Sequence, residues 1–281
     1  MNRPVYLGVM GGPKVGKTHF AGSVFRSKYI DPTRVLYLDN HGSTDPFDFP
    51  QYSSTQRYGV RHINPDKPQD LYKVVLDLRN NAWSKGRYPY DAIVVDDWSE
   101  FAQAEIEERL AESEDSRTLI RNWGKHGDLM RAAARMLHPA VSHAHHLAIF
   151  QAAQLPDPLE KRPKVVENGR VKFTEDIRDT KLRPFLQGSF AAWFPYKLDA
   201  LWYQYMEVKA GKYLFKMQLT PSAKVAVVSR WLAWWVVDPK LEGVMRDPTF
   251  DKVWEMIQRL EPESAVSRPE IETEEQNGNE N

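Results

Sequence analysis

Close to the amino terminus, Gly11-Gly12-Pro13-Lys14-Val15-Gly16-Lys17-Thr18 fits G-x-x-x-x-G-K-[ST] at every fixed position. It follows an apolar, strand-like run at 5–10 and leads into a segment of helical character at 17–27, the context the motif needs. Phosphate oxygens crowd against backbone N–H groups in such a loop. Glycine permits both the close approach and dihedrals that other residues avoid. Lys17 adds a mobile positive charge for β- and γ-phosphates, and the Thr18 hydroxyl can ligate Mg²⁺. Gly11 to Thr18, with His19 directly after, are therefore expected to bind nucleotide.

A magnesium nucleotide also needs a carboxylate at the carboxyl end of a neighbouring strand. Asp91-Ala92-Ile93-Val94-Val95-Asp96-Asp97 supplies one: a continuous apolar run, as in a strand buried on both faces, and then acid. Asp96 is expected to hold Mg²⁺, partly through water, because magnesium keeps part of its hydration shell. Asp97 has two readings, a cap for the helix that begins near Ser99 or a functional acid. ATP and Mg²⁺ are the ligands implied.

The rest of the chain supplies a frame for this site. Residues 34–39 and 147–150 read as further strands. Leu71, Val74, Val75 and Leu78 form the i, i+3, i+4, i+7 stripe of an amphipathic helix. A long helical stretch follows the acidic strand, with Leu129, Met130, Ala133, Met136 and Leu137 as its clearest apolar face. Strands alternating with helices predict an α/β fold with a mainly parallel sheet, right-handed crossovers and helices on both faces. Residues 200–206, 213–219 and 225–228 read as strands joined by short turns, adding antiparallel edge strands, and 251–260 as a short helix. With 281 residues, we expect one domain over 1–261 that includes a long charged excursion at 156–184. A disordered acidic tail is expected at 262–281, where six Glu stand against one Arg.

Composition narrows the function. Lys+Arg 38 against Asp+Glu 38 leaves no net charge, which argues against coating duplex DNA by bulk positive charge. The absence of cysteine excludes disulfides, thiolate metal sites and a cysteine nucleophile, and fits a reducing compartment. No stretch reaches the roughly 18 apolar residues of a membrane helix. A cytoplasmic protein without membrane association is expected.

At this point the chain resembles the RecA-like P-loop ATPases, most closely the small phage ATPases related to RecA that assist single-strand annealing and recombination. The resemblance spans roughly residues 4–230. It rests on Gly11 to Thr18, on Val35-Leu36-Tyr37-Leu38-Asp39-Asn40-His41-Gly42, on Ile93 to Asp97, and on Leu147-Ala148-Ile149-Phe150-Gln151. It implies a RecA-like core, ATP hydrolysis and action as a homo-oligomer, in the host cytoplasm if the protein is phage-encoded. In that family the second strand ends in Asp-x-Glu, whose glutamate polarises the attacking water. Here the position holds His41. The base stays open between Asp97, His41 and weak or absent hydrolysis. The γ-phosphate sensor of the family falls on Gln151, with Gln154 as alternate. The finger that reaches a neighbouring subunit's phosphate falls on Lys224 or Arg230, which also read as solvated edge-strand charges.

Between 157 and 230, fourteen Lys and Arg stand against eight Asp and Glu, interleaved with Phe173, Phe185, Phe190 and Trp193. That pattern suits single-stranded DNA, whose phosphates meet cations while bases stack on rings. It also suits a solvated loop with aromatic anchors. A single-stranded DNA-binding protein is a further conceivable partner. His143, His145 and His146 lack an adjoining acid or cysteine and read as a surface cluster rather than a zinc site. Trp231, Trp234 and Trp235 read as core or interface anchors. A phosphotransferase reading finds no evident acceptor pocket or Arg-rich lid.

Overall fold

Every residue of β1 (Tyr6–Gly11), β2 (Val35–Asp39) and β4 (Ala92–Asp96) is buried. Such continuous apolar runs require a sheet covered on both faces. The computed structural model describes residues 5–40, 42–64, 67–85, 90–111, 116–137, 147–153, 163–167, 170–173, 186, 188–222, 225, 227–230 and 243–260. Within these, β1 pairs in parallel with β5 (Leu147–Ala153) on one side and β8 (Ala200–Lys209) on the other. Beyond β5 come β4, β2 and β3 (Gly59–His62), all parallel. At the other edge β9 (Lys212–Gln218) and β11 (Val244–Arg246) run antiparallel, and the two-residue β10 (Val228–Ser229) pairs with the start of β8. The order is β11-β9-β8-β1-β5-β4-β2-β3. One strand, β5, therefore separates the strand that ends in the glycine loop from the strand that ends in Asp96.

Register assigns the faces. Leu7, Ile149, Val94 and Tyr37 form one row across the four central strands, so Tyr6 lies on the opposite face. On the Tyr37 face its ring stacks with Phe25 at 6.2 Å and lies 6.3 Å from Phe49. Phe25 belongs to the tight turn Ser23–Arg26 that follows α1 (Lys17–Gly22). On the other face, the Tyr6 hydroxyl donates to Ala134 O at 3.1 Å, and Tyr6 meets Phe194 edge-on. Ala134 lies in α4 (Ser116–Leu137), which packs with α2 (Pro68–Lys85), α3 (Trp98–Ala111) and α5 (Gly188–Trp193). The last helix, α6 (Phe250–Leu260), buries Phe250, Val253, Met256, Ile257 and Leu260, one apolar stripe, and packs against the Ser23–Arg26 turn. Between α3 and α4, buried Glu105 is paired with both Arg109 and His126, and Asn122 Nδ2 donates to Arg109 O at 2.8 Å.

Several expectations change. β8 is not an antiparallel edge strand: the long connection from β5 acts as a crossover and returns it parallel beside β1. β3, too short for a periodic signal, extends the sheet at the far edge. The excursion contains an antiparallel pair, β6 (Pro163–Glu167) and β7 (Arg170–Phe173). These strands flank the dipeptide Asn168-Gly169, a strong hairpin signal that composition had masked. The helical stretch after Asp97 is two helices, and of the expected strand at 225–228, Val228 joins a ladder, together with Ser229 just beyond it. The remainder of the excursion, the acidic tail, the three histidines at 143–146 and the tryptophans at 231–235 lie outside the described residues. Among the described residues no helix is long and apolar enough to cross a membrane.

Candidate nucleotide site

The glycine loop sits at the carboxyl end of β1 and enters α1 at Lys17, as the motif requires. Gly16 has φ 92°, the left-handed region, and a Cβ there would lie 3.1 Å from Gln204 Nε2 and 3.2 Å from the Phe215 ring. Gly11 is needed for a different reason: a Cβ would come within 2.2 Å of Gln204 O on the neighbouring β8. Lys14 also has positive φ, 61°. Alternation of left- and right-handed residues points successive N–H groups inward and builds an anion cradle. Lys17 Nζ donates to Gly11 O at 3.0 Å and Gly12 O at 2.9 Å. Burial lowers the Lys17 pKa, opposed by the charges of Asp97 and Asp96.

Asp96 is the hub of the site. Its Oδ2 accepts from Thr18 Oγ1 at 2.8 Å, Tyr37 OH at 2.7 Å and Ser43 Oγ at 2.7 Å. Burial raises its pKa, the three hydroxyls oppose that rise, and the nearby Asp39 charge adds to it. A carboxylate and an alcohol meeting at a phosphate loop are the hard oxygen donors that Mg²⁺ takes, with water completing its shell, so the donor set fits magnesium. Asp39, fully buried, organises the next loop: Ser43 N donates to its Oδ1 at 3.2 Å, and Thr44 N and Oγ1 donate to its Oδ2 at 3.0 and 2.5 Å. This holds Ser43 against Asp96. Tyr37 and Ser43 were not foreseen; Tyr37 carries a faint signal as the one polar-tipped residue between Val35 and Leu38.

The remaining candidates are placed unequally. Asp97 Oδ1 accepts from Glu100 N at 2.9 Å, the bond of a helix cap on α3. Its backbone is clamped by Asn40, which donates to Asp97 O at 2.9 Å and accepts from Asp97 N at 2.7 Å. The Gln151 backbone lies in β5 opposite Val9, on the strand between the two motif strands. Arg230 forms an ion pair with Asp199, which also accepts from Tyr6 N at 2.8 Å, so Arg230 sits at the amino-terminal end of β1, away from its own glycine loop. His41, Gln154 and Lys224 lie outside the described residues.

A cavity of about 540 Å³ opens from the loop, lined by Lys14, Gly16, Lys17, Thr18 and Ser43, and also by His19, Phe47, Gln204, Phe215, Asp247, Pro248 and Thr249. Gln204 Nε2 donates to Val15 O at 3.0 Å and ties β8 to the loop. A buried glutamine in the run Ala200-Leu201-Trp202-Tyr203-Gln204 is the sequence signal that could have revealed it. Among the described residues no group of three or more His, Cys, Asp or Glu forms another metal site.

No protein-family model and no curated protein matches this chain. Among solved structures, a KaiC-like protein from the hyperthermophilic archaeon Pyrococcus horikoshii is similar at 13% identity and a TM-score of 0.36, over 76% of this chain and 77% of that one. So loose a likeness carries no argument about the site, whose reading rests on its own geometry.

Proposed function

We propose that this chain is a magnesium-dependent ATP-binding protein of RecA-like P-loop type that hydrolyses ATP and acts on single-stranded DNA as a homo-oligomer. One observation carries the nucleotide part: Thr18 Oγ1 and Asp96 Oδ2, 78 residues apart, meet at 2.8 Å beside Lys17. The N–H groups of the loop hold phosphate oxygens. Lys17 exchanges its two carbonyl partners for the β- and γ-phosphates. Thr18 and Asp96 hold Mg²⁺, which when bound neutralises charge on those phosphates. Gln151 serves as γ-phosphate sensor; support comes from its strand, which runs between β1 and β4.

The DNA part draws support from the β8–β9 hairpin. Tyr203 and Tyr205 stack at 5.7 Å with 13° between their planes, Lys216 stands opposite Tyr205, and Lys209 and Lys212 close the turn. Rings and cations sharing one face of a ribbon suit a single strand, for which Lys216 would exchange its ion pair with Glu207 for phosphate. Lys224 and Arg230 remain candidates for the finger between subunits; for Arg230 that role requires release from Asp199.

A second reading, nucleotide-gated binding with little turnover, is favoured by the Asp97 cap, since one of its carboxylate oxygens is already engaged by the Glu100 N–H. Steady-state ATP turnover, with and without single-stranded DNA, separates the two. DNA-stimulated turnover that vanishes in Lys17→Ala supports hydrolysis. Tight Mg·ATP binding without turnover in either condition supports the gated module.

A further inference from the structure

The cavity beside the glycine loop has two chemically different kinds of lining. Lys14, Lys17 and Thr18 make one cationic and polar, whereas Phe215 and Pro248 make the other apolar. Phe215 stands outside the hydrophobic core cluster and is only half-buried. Its ring presses directly on the loop, since a Cβ on Gly16 would lie 3.2 Å from a ring carbon. Two hydrogen bonds fix it there. Gln204 Nε2 to Val15 O, 3.0 Å, pins the hairpin to the loop. Asp247 N to Phe215 O, 2.8 Å, pins the Asp247-Pro248-Thr249 segment to the same residue. Folding gains little from an aromatic ring left half in water, so its placement calls for a ligand with a flat apolar face. Pockets for organic ligands typically hold roughly 300–1,000 Å³, and this one at about 540 Å³ has room for more than a triphosphate.

We propose that the apolar lining is a nucleobase seat in which Phe215 stacks on the purine ring of the nucleotide whose phosphates occupy the glycine loop. The inference rests on the triphosphate reading of that loop and names the residue that recognises the base. A purine is favoured because its two fused rings offer Phe215 the larger face.

Calorimetric titrations of Mg²⁺ with ATP and, separately, with inorganic tripolyphosphate distinguish the seat from the loop. Phe215→Ala is expected to weaken ATP binding roughly 5- to 100-fold, the range of one base–ring stack, while leaving tripolyphosphate within about twofold. Retained tripolyphosphate binding also reports that the variant is folded. Phe215→Tyr, which keeps the ring, is expected to restore ATP binding. If Phe215→Ala leaves ATP binding unchanged, or weakens both ligands equally, the seat is wrong although the loop assignment stands. If neither ligand binds the wild-type chain, the triphosphate reading fails and takes the seat with it.

Discussion

Gly16 illustrates how a single residue can be held in place by its backbone and its surroundings at once. Its φ of 92° strains any side chain, and the space beside it is taken by Gln204 and Phe215. Gly16→Ala is therefore expected to cost about 1–3 kcal/mol and to abolish nucleotide binding, measured by denaturant titration and calorimetry. Two tyrosines set an alkaline limit. Burial raises the Tyr6 phenol well above its usual value and pushes Tyr90 up to about 12. The folded state thus keeps its protons where the unfolded chain, titrating near 10, gives them up. Their contribution is complete below about pH 10 and is lost as pH rises through the folded values, between about 10 and 12 for Tyr90. Unfolding free energy measured from pH 8 to 12 should fall above pH 10, and fall less steeply in Tyr6→Phe. Lys17, Thr18 and Asp96 could be read from sequence because each is fixed by a short contiguous motif. Ser43 and Phe215 belong to no such motif, and Tyr37 and Gln204 carry only a faint signal, because the packing of segments far apart in the chain brings them to the loop.

At the level of elements, the β8–β9 hairpin matters most. Its alternation sends Gln204 and Phe215 toward the loop side and leaves Tyr203 and Tyr205 on the other, so one surface of the ribbon faces the glycine loop and the second faces away from it. The two-residue turn Ala210-Gly211, both at positive φ, fixes that register, and the sequence signalled it plainly. The direction of β8 was not legible, because it depends on how the long connection from β5 crosses the sheet. On the opposite face, the pairing of α3 with α4 depends on buried Glu105, only 2% exposed, held by Arg109 and His126. Glu105→Ala removes the buried carboxylate that both groups contact. It is expected to destabilise the protein by about 3 kcal/mol, seen as a lowered urea midpoint, with Mg·ATP affinity unchanged at temperatures where the variant is folded.

For the whole molecule, the sheet order brings together elements that the chain keeps far apart: the glycine loop, Ser43 and Thr44 beside Asp39, and the Asp96 strand tip all meet at the carboxyl ends of parallel central strands. That convergence, and not any single motif, is what supports the proposed site for a metal-bound triphosphate. The most direct measurement is isothermal calorimetry of ATP with and without Mg²⁺ on the wild-type chain, Lys17→Ala and Asp96→Asn. The account predicts saturable binding by the wild type, its loss in Lys17→Ala, and in Asp96→Asn the loss of any advantage from magnesium. Equal heats from all three proteins, or none from the wild type, would contradict it.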